Sequence, residues 1–256
     1  MIQAIIKDKP TKLFVFFAAF FVANALIAES IGTKLFSLEK LLGMKPADLT
    51  LFGQPHMAFT LTCGVLLWPL EFVMTDIINE YYGPKAVRRI SYIAVGLISY
   101  AFLMYYMAIH IPAADAWLES GPRQGVADIQ KSFGAIFGQG MDIIFASIVA
   151  FLVSQVVDVF VFHRIKRRTG ERHVWLRATG STVVSQLIDS YIVLFLAFWD
   201  DFSWQLILAI GLMNYIYKVV MAIVLTPVIY WAEARIARYF GPELTQKMKR
   251  AAMGQE

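Results

Sequence analysis

A chain of 256 residues that is 58% hydrophobic and only 16% charged, with a mean hydropathy of +0.59, is too apolar to be a water-soluble domain. A single cysteine excludes a disulfide framework or thiolate metal site, and a formal charge of +4 scattered through short loops excludes a nucleic-acid-binding face. What remains is an integral membrane protein of the all-α class, lying in a lipid bilayer.

Lys7, Lys9 and Lys12 precede an apolar run that continues past Ala23-Asn24-Ala25, a small-residue pattern resembling a signal cleavage site, and reaches spanning length by Ile31. It is therefore read as a first transmembrane helix, about 12–31. The connector from Lys34 to His56 contains Gly43, Pro46, Gly53 and Pro55 with alternating stretches such as LTLF, which predict a short extracytoplasmic hairpin or re-entrant segment. A second helix is expected over about 57–82, kinked at Pro69. A third, about 90–111, is free of Asp, Glu, Lys and Arg and reads as lipid-facing or packing. The next connector, Pro112 to Gly140, includes QKSFGAIF, expected as a short amphipathic helix at the interface.

Helices four, five and six are expected at about 143–162, 179–199 and 204–231, with a basic loop, HRIKRRTGERH, after the fourth and Pro227 as a bending point in the sixth. The remainder, 233–256, is an amphipathic basic tail. Lys and Arg gather at the N-terminus, at Lys85, Arg88 and Arg89, in the 163–173 loop and in the tail. They outnumber those in the alternate loops by about three to one, which argues for six spans with both termini cytoplasmic.

Carboxylates and amides inside a bilayer must face other helices or a water-filled cavity. By helical rise, Glu71, Gln186, Asp189, Asn214 and Lys218 fall near mid-membrane, Gln155 a little deeper, and Asp76, Asn79, Glu80 and Asp158 towards the cytoplasmic side. An ammonium at that depth needs an acid, so Lys218 is expected to pair with Asp189 or Glu71. Asp76 and Glu80 have Lys85, Arg88 and Arg89 within sequence reach. Arg177, Ser181, Ser185 and Asp189 form one stripe at four-residue spacing. An echo, SQVVD at 154–158 and SQLID at 185–189, runs in opposite directions through the membrane and offers Gln and Asp from two sides of one cavity. The histidines, His56, His110, His163 and His173, lack ligand-like spacing. No metal or other cofactor is expected, and no phosphate loop, HExxH or GxSxG occurs.

TDIINEYYGPKAVRR, FASIVAFLVSQVVDVFVFHRIKRR, WLRATGSTVVSQLIDSYIVLFLAFW and NYIYKVVMAIVLTPVIYW, in that order, resemble the queuosine precursor transporter family, also grouped with vitamin uptake transporters. The resemblance implies a six-span bacterial inner-membrane importer of 7-deazaguanine precursors of a modified tRNA base. Those precursors are 7-cyano-7-deazaguanine or its aminomethyl counterpart, with queuine as a further candidate. It attaches function to Asp76, Gln155, Asp158, Ser181, Asp189 and Lys218. Asp142, where similar proteins often carry Arg, is a departure, and Glu71 is less typical of the family. A deazaguanine offers a ring N–H and an amine side by side, which a carboxylate accepts as a pair, and a carbonyl that needs a donor. The expected site gives Asp189 or Glu71 the donor edge, Gln155, Gln186 or Asn214 the remaining edges, and Lys218 the task of holding an acid ionised.

Three other classes stand beside this one. A binding component of an ATP-driven vitamin uptake system would co-purify with ATPase subunits. An intramembrane enzyme with Asp76 and Asp158 as its acid pair lacks the expected GxGD-like context. A scaffold protein would tolerate neutral replacement of its polar groups. Homo-oligomerisation or an energising module is left open by the sequence.

Overall fold

A computed structural model describes residues 8–138, 141–170 and 174–253. The side chain of Asp142, and Lys7, Arg172 and His173, lie outside the described residues. Helix α1, Lys9–Ile31, opens where the Asp8 carboxylate accepts the Thr11 N–H, and buries Phe17, Phe21, Asn24, Ala25 and Ala28 along one face. Phe16, Phe20 and Ile27 on its other side are exposed, as suits a helix surrounded by lipid.

The expected hairpin is present as two nested ladders. β1, Leu35–Ser37, leads into a helical turn, α2, Leu38–Leu41; β2, Leu49–Leu51, pairs with β3, Gln54–Met57, and β1 pairs antiparallel with β4, Thr60–Thr62. So the fold is mostly helical but not wholly so. Phe52 and Gly53 both take positive φ at the tip of the inner hairpin, the geometry a two-residue turn between twisted strands requires. Glu39 fastens the assembly: its carboxylate accepts the Phe59 N–H at 2.7 Å, the Ser37 hydroxyl at 3.0 Å and the Ala47 N–H at 3.5 Å.

The second expected helix, 57–82, is not one helix. After β4 the chain makes a 3-10 turn, Cys63–Leu66, and only then enters α3, Trp68–Tyr82. The alternation at Phe59-Thr60-Leu61-Thr62 is that of a strand, with Leu61 inside and both threonines outside. Pro69 occupies the first turn of α3, where its missing N–H is harmless, so it starts the helix instead of kinking it. At about 22 Å, α3 is shorter than the hydrocarbon core of a bilayer. It is nevertheless enclosed by the rest of the protein, with twelve of its fifteen residues buried.

Gly83, at φ 78°, ends α3, and α4, Pro84–His110, leaves at once, exposing Tyr92, Leu97, Tyr100 and Leu103. Short helices α5, Asp115–Leu118, and α6, Ser120–Arg123, precede α7, Ile129–Phe137, which forms where an amphipathic helix was expected. Two long helices follow, α8, Met141–Thr169, and α9, Val174–Phe198; the basic HRIKRRT stretch continues α8 and is not loop. Helix α10, Trp204–Val224, breaks at Leu225 into α11, Thr226–Phe240, so the expected sixth helix bends into two at Pro227. The tail forms α12, Pro242–Ala252. Among the described residues five helices, α1, α4, α8, α9 and α10, are long and apolar enough to cross a membrane, which makes this a multi-pass membrane protein.

A repeat escaped the sequence reading. Pro69, Gly83 and Pro84 recur with the same spacing as Pro227, Gly241 and Pro242, and both intervals fold as a fifteen-residue helix closed by a glycine at positive φ. The two units meet: the rings of Tyr81 and Phe240 pack edge to face at 5.9 Å, and α12 lies against α3. Lys9 donates to the Tyr239 carbonyl and Tyr82 to the Pro10 carbonyl, so the start of α1, the α3–α4 corner and the α11–α12 corner share one end of the bundle. The hairpins and α7 lie at the other end, where Ser30 meets Tyr105 and Gln130 donates to the Ile109 carbonyl.

Candidate functional site: a cavity lined by Asp189, Asn214 and Lys218

Among the described residues lies a cavity of about 460 Å³, within the size range of small-molecule sites. Its wall is built by the last turns of α1, the 3-10 turn, the start of α3, and α8, α9 and α10. Asp189, Asn214 and Lys218, all anticipated, line it. The Lys218 ammonium lies 2.5 Å from Asp189 Oδ2, which resolves the choice of partner in favour of Asp189. Both side chains keep some exposure, 13% and 21%, as they face the void.

Several wall residues were not foreseen. Glu29 Oε1 accepts the Ser147 hydroxyl at 2.6 Å, and both residues line the cavity. Ser190, 1% exposed, points its hydroxyl to no protein partner, so it has a donor and an acceptor to spare. Trp68 and Phe151, with ring centroids 5.7 Å apart, supply aromatic faces. Gly64 completes the wall because nothing larger fits: a Cβ there would sit 2.5 Å from the Ala28 carbonyl oxygen. A carboxylate close to the end of an otherwise apolar run was the available sequence hint for Glu29.

The other five anticipated residues do not line this cavity. Glu71 is fully buried and accepts the Asn24 amide at 3.0 Å. Asp158 accepts the Ser185 hydroxyl at 3.2 Å, so the two SQ-D motifs touch each other directly, and only the second reaches the cavity, through Asp189. Gln155 faces a narrow cleft against α4, beside Val87 and Ser91, and Gln186 is 1% exposed with neither amide atom bonded. Asp76 lines a small cavity of about 20 Å³ together with Trp68 and Lys218.

Glu80 was expected near Lys85, Arg88 or Arg89, but finds other cations. Lys166 from α8 lies 2.9 Å away, Arg177 from α9 2.8 Å, and Lys249 from α12 3.3 Å, with Lys249 also paired to Glu233 of α11. Helix α3 directs its carboxylate inward and those three helices converge on it. The serine stripe on α9 thus divides its work: Arg177 serves this hub, Ser185 the Asp158 carboxylate, and Asp189 the cavity. Among the described residues no group of His, Cys, Asp and Glu is arranged to hold a metal ion.

A profile for the family described as "Putative vitamin uptake transporter" matches residues 62–232. A Bacillus subtilis protein named "Probable queuosine precursor transporter" is 31% identical over 180 residues, 69% of this chain and 73% of its own. The Escherichia coli protein named "Queuosine precursor transporter" is 30% identical over 66% of this chain and 70% of its own. A Haemophilus influenzae relative named "Probable queuosine precursor transporter" is 25% identical over 69% and 70%. No solved structure matches the chain. The matched stretch runs from β4 through α3 and the cavity-lining helices into α11, and with two relatives at 30% identity or more it settles the grouping: the chain belongs to the queuosine precursor transporter family, a family of membrane transporters and not of enzymes.

Proposed function

We propose that the protein imports 7-deazaguanine precursors of queuosine, 7-cyano-7-deazaguanine or its aminomethyl counterpart, across a bacterial inner membrane, and that the 460 Å³ cavity is where they bind. The observation that carries this reading is the Asp189–Lys218 pair on the cavity wall. A carboxylate paired with an ammonium accepts the adjacent ring N–H and exocyclic amine of the heterocycle, and Asn214 and Ser190 serve its remaining edges. Trp68 and Phe151 offer faces for stacking. In this reading Gln155 and Gln186 support the helices from outside the cavity.

The proposed topology has six crossings, with β4, the 3-10 turn and α3 together making the second. Both ends of the chain then lie in the cytoplasm with the basic α8 and α12 segments, and the hairpins lie outside. The cavity opens towards the hairpin end and the Glu80 hub closes the opposite end. Uptake of labelled 7-cyano-7-deazaguanine by cells that cannot make it tests the site. Asp189→Asn and Lys218→Ala should abolish uptake at normal membrane levels, whereas Gln155→Ala should retain it. Wild-type uptake by the first two variants would remove the site.

A further inference from the structure

Three cavities lie in series through the protein. Trp68 and Lys218 wall both the 460 Å³ cavity and the 20 Å³ cavity beyond it. Asp76 and Ile229 wall both that second cavity and a third, of about 10 Å³, whose far side is Glu80 and Glu233 of the hub. The second and third have room for about one water each at most, so no heterocycle passes this way in the present conformation. A proton can.

Asp76 stands at the joint. It is 4% exposed, and its Oδ1 has no hydrogen-bond partner. A carboxylate oxygen buried without a donor is costly while ionised, and binding one proton removes the charge without moving any electrons. The charged groups around it come from every neighbouring element: Asp158 of α8, Arg177 of α9, Glu80 of α3 itself, Lys218 of α10 and Glu233 of α11. Lys218 is also the residue that holds Asp189 at the binding cavity, so a change in the charge of Asp76 is felt at the far side of the same ammonium.

We propose that Asp76 is a proton-binding site that couples proton entry to transport: one proton passes from the cavity side past Lys218 to Asp76 Oδ1 and leaves towards Glu80 and Glu233. This rests on the cavity being the deazaguanine site, and the test separates the two. In proteoliposomes of the full chain, an imposed one-unit pH gradient should raise accumulation of 7-cyano-7-deazaguanine about tenfold for one proton per substrate, and Asp76→Asn should abolish that rise while leaving downhill equilibration. Asp76→Glu should restore it. In substrate-free membranes, infrared titration should show a protonated-carboxyl band in wild type that Asp76→Asn lacks. Gradient-driven accumulation by Asp76→Asn, accumulation driven by sodium with no response to pH, or an unchanged infrared band in Asp76→Asn would each overturn the inference. If wild type takes up no deazaguanine, the cargo reading falls, and the infrared band alone decides the proton site.

Discussion

Replacing Glu80 by Gln keeps the shape of the side chain and removes the anion on which three helices converge. Lys166 and Arg177, both 0% exposed, would then lose this carboxylate, while Arg177 would keep the Gly170 carbonyl and Lys249 would keep Glu233. Breaking a buried ion pair by deleting one partner costs about 3–5 kcal/mol, because the remaining charge is left without compensation. For a chain of this size that corresponds to a fall of about 6–20 °C in melting temperature. Thermal melting of the detergent-solubilised protein, followed by size-exclusion fluorescence, measures it. Glu119→Gln, which removes an exposed pair with Arg123, should leave the melt unchanged. Adding Lys166→Met to Glu80→Gln should recover part of the loss, since it removes a buried cation that has lost its acid. A Glu80→Gln protein that melts within 1–2 °C of wild type would refute the reasoning, because the hub would then contribute about what an exposed pair does.

Ser190→Ala should leave the melting temperature unchanged, since the hydroxyl has no partner in the fold, yet weaken substrate affinity about two- to tenfold, the worth of one neutral hydrogen bond, as read from the KM of uptake. Gly64→Ala should lower both stability and uptake, because its Cβ meets backbone at 2.5 Å and the turn cannot yield without reshaping the cavity wall; normal melting and uptake would contradict that. Burial raises the Glu39 carboxyl, but the Phe59 N–H, its own backbone and the Ser37 hydroxyl outweigh it and hold the group below its ordinary value. Its contribution is therefore fully present above the unfolded value of about 4.3 and lost as pH falls through the lower folded one. Hydrogen exchange across 35–62, corrected for intrinsic rates, should accelerate in that acid window in wild type and already be fast at pH 7 in Glu39→Gln.

The sequence by itself determined that the chain is membrane-embedded, where its long apolar helices lie, and that a hairpin follows the first, since these depend on local composition, periodicity and turn residues. It also confined the partner of Lys218 to two acids by the cost of an uncompensated charge at mid-membrane. Pro69 and Pro227 were legible as interruptions, though hydropathy concealed that the run before Pro69 is strand and turn, because an apolar strand and an apolar helix differ in periodicity over only a few residues. Only the tertiary structure decided which polar groups share a void. Glu29 and Ser147 are 118 positions apart and Glu80 and Arg177 97, and no local rule reports such a meeting. Asp158 and Asp189 have similar motifs around them, yet one closes on Ser185 and the other opens to a cavity, because helix rotation, set by packing against distant neighbours, chooses the direction in which each carboxylate points.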